Sequence, residues 1–91
     1  MHSIDIKRTH NLEMSKAKTA VQDVADHIAN KFDVDCQWHG NTLNFKRSGV
    51  DGHIKVNHKS IHVIADLGFF QSAFKSVIEG EINRYLDKEF S

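Results

Sequence analysis

The sequence predicts an α+β fold: a two-layer sandwich in the order β-α-β-β-β-β-α, with a mainly antiparallel sheet and two helices on one face. Three observations lead there. Residues 34–67 divide into four runs that alternate apolar and polar residues, the period of half-buried strands. The stretches before and after them change to the three- and four-residue apolar spacing of amphipathic helices. When the four runs are joined by tight turns, all their apolar residues except Ile64 fall on one face.

Taking the chain in order, Ile4-Asp5-Ile6-Lys7-Arg8 alternates and reads as a first strand. Ile4 and Ile6 point inward and Arg8 reaches the inner rim. His10-Asn11 ends the strand. Asn11 is expected to cap a helix from Leu12 to about Phe32, with Glu13 in its first turn. Ala17, Val21, Val24, Ala25, Ile28 and Phe32 make one apolar stripe, and Asp33 closes the helix.

The breaks Gly40-Asn41, Ser48-Gly49 and His58-Lys59 are expected to be two-residue hairpin loops. That register sets Trp38 opposite Leu43, Cys36 opposite Phe45, Leu43 opposite Ile54, Val56 opposite Ile61 and Ile54 opposite Val63. Lys46 falls opposite Asp51, a favourable pair. A slip of one residue in any hairpin would break this agreement. Gly49 suits a left-handed turn position, and Gly52 leaves room beside the ring of Phe45. The first strand is expected to lie antiparallel beside the fifth.

After Leu67-Gly68 a second helix is expected to begin near residues 69–72. Its stripe is Phe70, Phe74, Val77, Ile78, Ile82, Tyr85 and Leu86. Gly80 interrupts it, either because helix and sheet approach closely or because the position is exposed. Trp38, Leu43, Phe45, Ile54, Val63, Val21, Ile28, Phe74 and Ile78 are expected to share one core.

Ninety-one residues fit one small domain, 1–91. Twelve basic residues balance twelve acidic ones, which speaks against the basic footprint of a nucleic-acid binder. No run is long enough to span a bilayer, and the start lacks the apolar run of a signal peptide. A single cysteine excludes an internal disulfide and suits a reducing compartment. The expectation is a cytoplasmic protein.

The residues also resemble a known family. Ile4-x-Ile6-x-Arg8-x-His10-x-Leu12 opens the resemblance, and its centre is Trp38-His39-Gly40 with Leu43-Asn44-Phe45-Lys46-Arg47-Ser48-Gly49-Val50-Asp51-Gly52. Leu67-Gly68, Phe74, Ile78-Glu79-Gly80-Glu81-Ile82 and Leu86-Asp87 complete it. This pattern is similar to the bacterial polyhydroxyalkanoic acid system proteins. The resemblance implies a link to polyhydroxyalkanoate storage granules and carries no known activity. The expected function is a small non-enzymatic accessory or binding protein of that system, cytoplasmic or granule-associated, with granule or metabolic proteins as partners. The alternative is a small-molecule or acyl-chain binding domain with a cavity between helices and sheet.

Two groups of residues stand out. Arg8 and Arg47 both point inward at strand ends, within reach of a second helix carrying Glu79 and Glu81. They form either a structural arginine–carboxylate cluster or a site for a small anion. His53, Lys55, His62 and Ile64 share the polar sheet face, an interaction surface for a partner or for a weak homodimer. No Cys/His spacing matches a structural zinc site, and no nucleophile, phosphate loop or zincin motif is present, so no catalytic residue, metal or cofactor is expected.

Overall fold

The computed structural model describes residues 3–68 and 71–90. Five strands form one sheet: β1 (Ile4–Thr9), β2 (Asp35–His39), β3 (Thr42–Arg47), β4 (Val50–Val56) and β5 (Ser60–Leu67). Two helices, α1 (Met14–Phe32) and α2 (Lys75–Glu89), complete the fold, with a short 3₁₀ turn at Gln71–Phe74 before the second. The strand order is β1-β5-β4-β3-β2, and every neighbouring pair is antiparallel. β1 joins the sheet beside β5, with Ile4 opposite Ala65 and Ile6 opposite Val63.

The hairpin register is the one the apolar alternation dictates. Trp38 lies opposite Leu43, Cys36 opposite Phe45, Leu43 opposite Ile54, Ile54 opposite Val63 and Val56 opposite Ile61. Gly40 and Gly49 take the left-handed backbone of their turns, with φ of 61° and 83°. Ile4, Leu43, Phe45, Ile54, Val56, Ile61, Val63 and Ala65 are buried beneath the helices.

α1 buries Ala17, Ala20, Val21, Val24, Ala25 and Ile28. It is fixed to the edge of the sheet by Trp38, whose Nε1–H donates to Gln22 Oε1 at 2.7 Å. Lys18 Nζ lies 4.8 Å from the Trp38 ring and donates to Gly40 O. The helix starts later than the sequence suggests, and Asn11 does not cap it; Glu13 holds that position with no side-chain cap. The reason is His10, which is 7% exposed. Its Nδ1 accepts the Leu12 backbone N–H at 3.1 Å, so that donor is committed to a local turn before the helix begins. His10 Nε2 lies 2.9 Å from Asn57 O, and its backbone N–H donates to Lys59 O. At the far end Asp33 takes the left-handed conformation, φ 56°, and donates its N–H to Ala29 O.

α2 departs further from expectation. Ile82 and Leu86 are buried, with Ile78 and Tyr85 packed at the edge of the core. Phe74, expected in the core, is 60% exposed, and Val77 is 55% exposed. The chain enters the helix through the 3₁₀ turn, whose three-residue step takes Phe74 out of phase with the stripe that follows. Phe70 lies outside the described residues. Gly80 is exposed, and a Cβ there would meet nothing within 4 Å. The sheet does not require that glycine.

Candidate functional site

The outer face of the sheet is built in rows. The antiparallel register aligns Gln37, Asn44, His53, Ile64 and Asp5 across the middle of the face. Toward the β3–β4 turn the next row is Asp35, Lys46, Asp51 and Asp66. Toward the opposite end it is His39, Thr42, Lys55, His62 and Lys7. Carboxylates therefore collect at one end and lysines with imidazoles at the other. His53 and His62 are diagonal neighbours, and His62 Nε2–H donates to Asp5 Oδ1 on the edge strand. Ile64 is half-buried at the centre, and Lys55 is exposed.

The two arginines do not meet. Arg8 aligns with Ile61 of β5, whereas Arg47 aligns through Val50 with Leu67 of the same strand. Six residues of extended chain separate those points, about 20 Å. One small anion cannot bridge them, and neither arginine is bonded to Glu79 or Glu81. Each instead holds a helix near its C-terminal end. Arg47 donates to Phe32 O at 2.7 Å, neutralising a terminal carbonyl of α1. Arg8 donates to Asn83 Oδ1 at 2.7 Å and pairs with Asp87 in the last turns of α2. Asn83 and Asp87 sit one helical turn apart, so both face the same strand end. Glu81 pairs with Lys31 of α1 at 3.1 Å. The Lys31 hydrogen bond holds the Glu81 carboxyl below its ordinary value, against a smaller opposing cost of desolvation.

A corner cleft of about 370 Å³ opens where α1 ends, over the β3–β4 hairpin and beside the 3₁₀ turn. Phe32, Val50, Phe74, Val77 and Ile78 give its walls; Lys31, Arg47 and Gln71 bring hydrogen-bond donors to its rim. Deeper in, between helices and sheet, the free space bounded by Ile28, Phe45, Ala65 and Ile82 is only about 20 Å³. That is room for about one water, far below the roughly 300 Å³ or more of a ligand site, so the space there does not hold an acyl chain. The buried apolar side chains of helices and sheet fill that space.

Cys36 is half-buried, and burial pushes its thiol up from the usual value, with Asp26 and Asp35 adding to the shift. It stays a thiol rather than a reactive thiolate at neutral pH. Among the described residues no three His, Cys, Asp or Glu side chains group closely enough to hold a metal ion. No helix among them is long and apolar enough to cross a membrane.

Searches of curated proteins and of solved structures found no match. A family model, described as Putative polyhydroxyalkanoic acid system protein, matches residues 4–90. That span takes in all five strands and both helices, with the arginines that hold the helix ends, and the chain belongs to this polyhydroxyalkanoic acid system family.

Proposed function

We propose that the protein is a non-enzymatic accessory factor of polyhydroxyalkanoate storage that works in the cytoplasm at the granule, with the corner cleft as its contact with the polymer. The observation that carries this reading is the exposure of Phe74 and Val77, 60% and 55%, at the mouth of the cleft. Two large apolar side chains held in water at one rim are costly unless a partner covers them. A polyhydroxyalkanoate is a polyester: its chain is apolar, and its ester carbonyls accept hydrogen bonds but donate none. Apolar walls complement the chain, and the remaining N–H groups of Arg47, Lys31 and Gln71 at the rim, beside the Asp33 carboxylate, can donate to its ester carbonyls. The volume lies in the range of sites that enclose part of a small ligand, which suits a short chain segment.

Fractionation of granule-forming cells tests the proposal. The protein is expected in the granule fraction and the Phe74→Asp variant in the soluble fraction. Recovery of the unaltered protein only in the soluble fraction would overturn the reading.

A further inference from the structure

We infer that the outer sheet face is a self-association surface that pairs two copies of this chain about a two-fold axis lying along its middle row. The argument rests on the charge order of the rows. The row at the β3–β4 turn carries Asp35, Asp51 and Asp66 with one lysine, Lys46. The row at the other end carries Lys7 and Lys55 with His39 and His62. A two-fold axis along the strands would lay each row on its own copy, carboxylates on carboxylates. An axis along the rows exchanges the strand ends. Asp51 then faces Lys55 of the second copy, Asp66 faces His62 and Asp35 faces His39, and every one of these contacts occurs twice. Each row becomes the electrostatic complement of the other.

The middle row faces itself. Ile64 meets Ile64 of the second copy near the axis, where a half-buried isoleucine is the apolar residue on an otherwise polar face. His53 meets His53. Asp5, on the edge strand, is turned toward His62 of its own chain. Sheet twist also separates the corners of two stacked sheets, so the contacts that count are on the central strands β4 and β5. Those strands carry Asp51, Lys55, His62, Ile64 and Asp66.

The area sets the strength. Five strands about 4.8 Å apart and three rows about 7 Å apart give a face of roughly 20 by 20 Å. Pairing it buries about 800 Å² in total, below the ~1,200 Å² of stable complexes. The dimer is therefore weak, concentration-dependent and sensitive to salt. The surface is separate from the corner cleft, on the opposite side of the sheet from the helices, so this inference does not depend on the polymer contact.

Charge reversal tests it. Sedimentation equilibrium of the purified chain should show a monomer–dimer equilibrium at about 0.1 M salt that shifts to monomer at about 1 M. Lys55→Glu and Asp51→Lys should each weaken self-association by about tenfold or more, because each sets like charges opposite one another twice. Mixing the two variants should restore the dimer. The two substituted positions then face each other with opposite charges, and the unaltered Asp51 of one copy faces the unaltered Lys55 of the other. Circular dichroism melts check that both variants fold; if Asp51→Lys does not, Lys55→Glu alone carries the charge test, and Ile64→Arg should abolish the dimer. A chain that is monomeric at all concentrations in low salt overturns the inference. So does a dimer indifferent to Lys55→Glu.

Discussion

Gly52 lies directly beneath the ring of Phe45 on the neighbouring strand. A Cβ at Gly52 would stand 2.7 Å from two carbons of that ring and 2.6 Å from the backbone oxygen of Ile64. Neither neighbour can give way, because Phe45 is 5% exposed and the Ile64 oxygen belongs to the sheet backbone. Gly52→Ala is expected to destabilise the fold by about 1–3 kcal/mol, the usual cost of overpacking a filled core. Phe45→Ala removes the ring instead and should cost about 3–5 kcal/mol. Urea unfolding measures both, and a Phe45→Ala loss below about 1 kcal/mol would mean that the ring contributes nothing to the core.

Gly80 gives the opposite sign. It sits inside α2 on the solvent side, with nothing near its missing side chain. Gly80→Ala should stabilise the protein by up to about 1 kcal/mol by restoring helix propensity and restricting the unfolded chain. The check is an upward shift of the unfolding midpoint with unchanged slope.

His10 joins the end of β1 to the β4–β5 turn and to the entry of α1. Truncation to alanine leaves the Leu12 N–H and the Asn57 carbonyl without the ring and opens space beside Phe90, whose ring centroid is 5.6 Å away. His10→Ala should cost about 1–3 kcal/mol. Amide exchange should accelerate first at Leu12 and at the first turn of α1.

The Glu81–Lys31 pair ties the two helices together. The carboxyl is held below its ordinary value of 4.5, chiefly by the Lys31 hydrogen bond. Its contribution to stability is therefore full above that value and is lost as pH falls through the lower folded value. Glu81→Gln should unfold more readily than the parent at about pH 7, and the gap should narrow as the pH falls below the ordinary carboxyl value of 4.5. A gap that stays the same size as the pH falls would show that the charge of Glu81 is irrelevant.

The strands were legible in the sequence because their period is strict. Once Trp38, Phe45 and Ile54 must share a face, the register, the two-residue turns and the room at Gly52 follow together. The helices were less so at their starts. Nothing local marks His10 as the ligand of a backbone N–H, since the ring reaches the β4–β5 turn only when β1 lies beside β5. Phe74 keeps a four-residue spacing to Ile78, and only the 3₁₀ turn removes it from the core. The inward parity of Arg8 and Arg47 was readable. Their partners were not, because guanidinium groups reach across several residues and a helix terminus offers carbonyls as well as carboxylates.

Exposed Phe74 is the residue on which the account of function turns, and direct binding to the polymer is its sharpest test. Purified protein mixed with protein-free polyhydroxyalkanoate particles and sedimented should bind saturably. Phe74→Asp should abolish retention while leaving the unfolding midpoint near that of the parent, because the side chain lies outside the core. Equal retention of the two proteins, or no retention of either, would contradict a polymer contact at the corner cleft.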